Sequence, residues 1–139
     1  MQGTGGFMSY LKFFVLAAPL ALLSLGAQAQ TTPAEQIAGY VAQSGQPAQA
    51  ARGQEFFTSK HGKDWSCSTC HTAKPTVEGK HASTGKVIAP MAPAFNPQRF
   101  TDAAKTEKWF RRNCNDVVGR ECTAGEKADL LSWLASLKS

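Results

Sequence analysis

Hydrophobic and polar positions sort into helical periods toward both ends of the chain and into almost no period between them. In "TTPAEQIAGYVAQSG", Ile37, Tyr40 and Val41 recur at helical spacing. Thr32 stands as N-cap, Pro33 takes the first helical position, and Glu35 completes a capping box. Gly45 and Pro47 break this helix, and a second is predicted from about Ala48 to Ser59 with Phe56 and Phe57 turned inward. A third begins near Thr101 and Asp102, carries Trp109, Phe110, Asn113 and Val117 on neighbouring turns, and stops at Gly119. The last opens with a capping box, Thr123 and Glu126, and lines up Leu130, Leu131, Leu134 and Leu137, with Trp133 beside that stripe. No run alternates at period two, so strands are few or absent and the fold class is all-α. Phe56, Phe57, Trp109, Leu130, Leu131 and Leu134 are the core candidates.

Residues 60–100 break the pattern. They hold four prolines and three glycines and show no sustained period. A loop of that length in so small a chain needs something else to organise it, and four helices make a thin core at this size. The sequence therefore asks for a large apolar cofactor.

The N-terminal stretch adds nothing to that core. Met8 to Ala29 has the form of a secretory signal, with Lys12 at its start and "FFVLAAPLALLSLGA" as its apolar run. The small-x-small site Ala27-Gln28-Ala29 places cleavage after Ala29. The run is short and contains Pro19, which argues against a permanent membrane span. Residues 1–29 are thus expected to be removed, leaving 30–139 as one domain in an oxidising compartment, the periplasm. That domain keeps 14 of the 15 Lys and Arg and all 10 acids, a net charge of about +4. Only Arg111-Arg112 forms a basic pair, and no aromatic–basic interleaving points to nucleic acid.

"CSTCH", Cys67 to His71, meets the demand for a cofactor. The C-x-x-C-H order is the attachment pattern of haem c: two thiols form thioethers on one side of the porphyrin, and the adjacent imidazole becomes the proximal iron ligand. A zinc ribbon would need a second C-x-x-C, whereas Cys114 and Cys122 have seven residues between them. A thioredoxin-like dithiol belongs in an α/β fold. With Cys67 and Cys70 assigned to haem, Cys114 and Cys122 are expected to pair in a disulfide, two free thiols being the alternative. The turn at Gly119 brings the chain back, and the short loop limits the entropic stabilisation to about 2 kcal/mol.

Function turns on the residue opposite His71. A firm methionine makes an electron carrier, and a weak ligand makes a site where gases bind. Met91, in "APMAP", is the only methionine left after signal removal. His61 and His81 lie in polar, glycine-bearing stretches and read as surface residues. Asn113 follows Phe110 by three residues and Trp109 by four, near a face that the aromatic pair is expected to bury. On chemistry alone Met91 leads, because thioether ligation is common and amide ligation rare.

The segment "TGKVIAPMAPAFNPQRFTDAAKTEKWFRRNCNDVVGRECTAGEKADLLSWLASL", with "CSTCH" before it and "IAGY" near the mature start, resembles the SHP (sphaeroides haem protein) family of oxygen-binding, high-spin class I cytochromes c. The likeness runs over nearly the whole mature chain, and "RNCN", "GREC" and "GEKADLL" are its specific parts. It implies a small class I cytochrome c-like helical fold around one covalent haem c. It also implies Asn113 as distal iron ligand and a Cys114–Cys122 disulfide. A related bis-histidine group carries histidine at the position of Asn113, and the family has leucine where this chain has Met91.

The resemblance also implies a function. The distal asparagine would be released on reduction, admitting O2, NO or CO, and electrons would come from a diheme cytochrome c linked to a membrane cytochrome b. Slow reduction of oxygen, peroxide or nitrogen oxides is the enzymatic activity such a site leaves open. The competing readings are an ordinary His71/Met91 electron carrier and a sensor or scavenger without a redox partner. No distal His/Arg pair of the peroxidase kind is present.

Overall fold

The computed structural model describes residues 1–3, 5 and 30–138; the signal sequence expected over 8–29 lies outside the described residues. Five helices and one small hairpin follow in order: α1 (Pro33–Ser44), α2 (Ala50–Thr58), α3 (Cys67–His71), β1 (Gly79–Lys80), β2 (Val87–Ile88), α4 (Ala103–Val117) and α5 (Ala124–Ser136). The two strands pair antiparallel, Gly79 with Ile88 and Lys80 with Val87. The all-α class holds apart from this hairpin.

The caps act as the sequence predicts. Thr32 accepts from the Glu35 N–H while the Glu35 carboxylate accepts from the Thr32 N–H, and Thr123 and Glu126 repeat the exchange at α5. Asp102 caps α4 through the Lys105 N–H. Helix α2 starts at Ala50, two residues later than expected. Its entry is set by Asp129 of α5, which accepts from the Gln49 N–H and from Arg52.

Helix α5 packs against both α1 and α2 and supplies the centre of the core: Leu130, Leu131, Trp133 and Leu134 are buried beside Tyr40, Phe57 and Phe110. Phe57 and Leu134 are fully enclosed. Two core expectations need correction. Trp109 is 44% exposed, and Phe56 is half-buried at the edge of the cluster. The buried side of α4 is Thr106, Phe110 and Cys114, spaced four residues apart. Trp109 lies one residue, roughly 100°, off that line. Asn113, one turn on from Trp109, is exposed with it, so the aromatic pair does not bury Asn113 as expected.

A partly buried polar cluster joins three helices. The Tyr40 hydroxyl donates to Glu107 at 2.5 Å, and Lys127 donates to the other oxygen of that carboxylate at 2.8 Å. The Lys127 ammonium also lies over the Tyr40 and Phe110 rings. Burial opposes the charge on Glu107, but Lys127 and Tyr40 outweigh it and hold the carboxyl below its ordinary range.

Candidate haem site

Helix α3 exists to place three side chains. Its one and a half turns put Cys67, Cys70 and His71 within a single short element, stabilised where the Ser66 N–H donates to Thr69 Oγ1. The helix ends abruptly at Thr72, whose φ of 62° is unusual for a β-branched residue. The hairpin then folds back against it. A Cβ at Gly79 would lie 2.1 Å from the Cys70 carbonyl oxygen, so only glycine permits this approach. The Ala82 N–H points at Cys70 Sγ at 3.3 Å.

The chemistry of these groups suits haem and not the alternatives. Burial is the main reason that the Cys67 thiol is pushed up to about 11, which argues against a thiolate nucleophile or redox dithiol. Burial also lowers the His71 imidazole to about 4, with Arg99 and His81 adding to the effect, so at neutral pH it is in the uncharged form that binds metal. Its ring packs near Phe57, with centroids 6.2 Å apart. Among the described residues no group of three or more His, Cys, Asp or Glu is gathered as a metal cluster. Trp65, Val87, Phe95 and Trp109 offer apolar surface that the chain's own core does not take up.

Met91 sits on the loop before α4. Its N–H and that of Ala92 both donate to the carbonyl of Pro75, a fully buried residue four positions after His71, and its side chain packs against the core. The loop is held from outside by Arg99, whose Nε donates to the Pro90 carbonyl and Nη2 to that of Ala89. Asn113 belongs to the exposed side of α4, next to Cys114. Cys114 and Cys122 form a disulfide, which excludes the free-thiol alternative and leaves Cys67 and Cys70 outside that bridge. Lys63 donates to the carbonyls of Asn115 and Asp116, so the segment leading into "CSTCH" grips the same end of α4. Arg99 and Lys63 were not foreseen: both bond main-chain carbonyls, which leave no trace in sequence.

Comparison with known proteins gives this arrangement its context. Residues 43–134 match the family described as "Domain of unknown function (DUF1924)". Cytochrome c-type protein SHP of Cereibacter sphaeroides is 53% identical over 129 residues, covering 90% of this chain and 98% of that protein. The chain belongs to the DUF1924 family and to the SHP group of c-type cytochromes. It accordingly carries one covalent haem c. The solved structure of oxidised SHP, described as an oxygen-binding cytochrome c, superposes with a TM-score of 0.74 at 55% identity, covering 78% of this chain and 99% of that one. Cytochrome c'' of Methylophilus methylotrophus is 43% identical over 86 residues, 59% of this chain and 60% of that protein. Its oxidised crystal structure has a TM-score of 0.67 at 34% identity, covering 77% of this chain and 95% of that one. A solution structure of the same cytochrome, again at 0.67, is described in terms of haem-ligand detachment.

Proposed function

We propose that this SHP-type cytochrome is a periplasmic haem protein whose distal ligand, Asn113, is released on reduction so that O2, NO or CO can bind. The haem would supply a redox-active iron able to bind a small ligand. Cys67 and Cys70 hold it through thioethers, and His71 provides the proximal nitrogen. Asn113 offers an amide oxygen, a hard, neutral, weak-field donor that suits ferric iron better than ferrous. Reduction would weaken the hold of Asn113, and its departure would leave room for a diatomic ligand.

The observation that carries this reading is the division of α4. Phe110 and Cys114 turn into the core while Asn113, with Trp109, stays free on the other side. Met91, the rival ligand, packs its side chain against the core. The oxygen binding described for SHP and the ligand detachment described for cytochrome c'' agree with a labile distal position.

Electrons are supplied by a redox partner, a diheme cytochrome c or membrane cytochrome b. The exposed Lys105, Lys108, Arg111 and Arg112 along α4 suit an acidic docking face. Removal of residues 1–29 and a periplasmic location fit the disulfide, which persists in oxidising compartments. They also fit the extents of the two SHP matches: the sequence match takes in 90% of this chain, whereas the structural match uses 99% of the solved chain yet takes in only 78%.

The deciding experiment is the optical spectrum of the purified holoprotein after reduction, before any gas is added. A high-spin ferrous spectrum supports release of Asn113 and gas binding. A sharp low-spin ferrous spectrum overturns the reading in favour of a His71/Met91 electron carrier.

A further inference from the structure

The chain has five arginines, and four of them have a carboxylate within salt-bridge distance: Arg52 with Asp129, Arg111 with Glu121, Arg112 with Asp116 and Arg120 with Glu126. The fifth, Arg99, is the least exposed and has no carboxylate partner among the described residues. A guanidinium taken partly out of water without an anion is unfavourable, and such groups are normally paired. Arg99 is not free to swing toward a distant acid. Its Nε and Nη2 are committed to the carbonyls of Pro90 and Ala89, at 2.9 and 2.7 Å. Those two bonds fix the plane of the fork, and Nη1 has no hydrogen-bond partner among the described residues. The unused edge is a rigid pair of donors of the kind that receives a carboxylate in two parallel bonds.

We propose that Arg99 is the counter-ion of a haem propionate. Haem c brings two carboxylates that the chain must accommodate, and Arg99 is the one half-buried cation whose fork is held open on the segment carrying Met91. Its placement relative to the attachment helix agrees: the turn that Arg99 ties leads directly into Met91 and Ala92, whose N–H groups donate to the carbonyl of Pro75, four residues after His71. The Ala89–Pro90 turn thereby does two things. It carries Met91 past Pro75, and it holds a cation in place.

This inference rests on the covalent haem but not on the identity of the distal ligand. The experiment is a pH titration by NMR of holoprotein carrying haem labelled with 13C at the propionate carboxyls, reduced under carbon monoxide. Sharp signals are obtained whether the gas binds or Met91 stays ligated, so failure of the Asn113 reading does not disturb it. The propionate carbon is followed, and not the reduction potential, because it reports on the carboxylate itself. In the wild type one propionate should titrate below the ordinary carboxylic-acid range. Arg99→Gln should raise that value by about one unit or more, and Arg99→Lys should restore part of the shift. Unchanged propionate titrations in a variant with intact haem would show that Arg99 only ties the turn. Should Arg99→Gln fail to fold, the wild type still decides: two propionates titrating at ordinary values overturn the proposal.

Discussion

Gly53 rests on the main chain of Asp129. A Cβ at position 53 would lie 2.0 Å from the Asp129 carbonyl oxygen and 2.9 Å from the Leu130 nitrogen, so α2 and α5 meet backbone to backbone. Neither neighbour is a flexible side chain that can move aside. Gly53→Ala should force the helices apart at the centre of the fold and cost about 3 kcal/mol. Thermal unfolding of the holoprotein measures it; a melting temperature equal to wild type would refute this close packing.

Gly79→Ala tests the second close approach, where the hairpin lies against the Cys70 carbonyl. The effect should appear in haem attachment more than in the helical core, because the clash is with α3 itself. The expected outcome is a lower ratio of covalent haem to polypeptide in protein expressed alongside wild type.

The Cys114–Cys122 bridge closes a loop across a sequence separation of 8. Replacing both cysteines with alanine should lower stability by about 2 kcal/mol on the loop-entropy scale. The ferric optical spectrum should also change, because Asn113 adjoins the anchored Cys114. A shifted denaturation midpoint with an identical spectrum would separate the bridge from the haem ligand.

Asn113→Leu and Met91→Leu discriminate the two distal candidates. The first should leave the ferric iron open or water-ligated, with a changed spectrum. The second should leave the spin state of both oxidation states unaltered, since leucine fills similar space beside Pro75. The reverse result would assign ligation to Met91.

Acid should weaken the Tyr40–Glu107–Lys127 cluster. Because the folded protein holds the Glu107 carboxyl below its ordinary value, the unfolded chain binds the proton more readily. The contribution is therefore complete above the ordinary carboxylate range and is lost as pH falls toward the lowered folded value. It is modest, since Glu107 remains partly in water. Glu107→Gln should flatten the acid limb of a stability–pH curve, and Tyr40→Phe should remove about 1 kcal/mol near neutrality.

The helices were legible because their signals are local. Thr32 with Glu35, and Thr123 with Glu126, announce two starts; Gly45 and Gly119, both at positive φ, mark two ends. Leu130, Leu131 and Leu134 show their burial through spacing alone. Trp109 was misjudged because large aromatic character says nothing about which side of a helix meets the core; Thr106, Phe110 and Cys114 decide that together. The hairpin left no signal, since two residues per strand cannot show alternation. Order between residues 60 and 100 comes from main-chain acceptors at Pro75, Ala89 and Pro90, which any sequence supplies and none advertises. For the site, the "CSTCH" spacing was sufficient to expect haem, while the proposal for Asn113 began from family resemblance.

Helix α4 is anchored at both extremities. Thr101 and Phe100 ahead of it accept from Thr31 and Gln36, while Lys63 and the Cys114–Cys122 bridge secure its far end. With both ends of α4 tied, opening of the distal position, on the proposed ligation by Asn113, would fall to rotation about the χ angles of that side chain. Such rotamer changes take place in picoseconds to nanoseconds, against microseconds or longer for a helix displacement. Gas entry in this protein would then be gated by the electron and not by the motion of the fold.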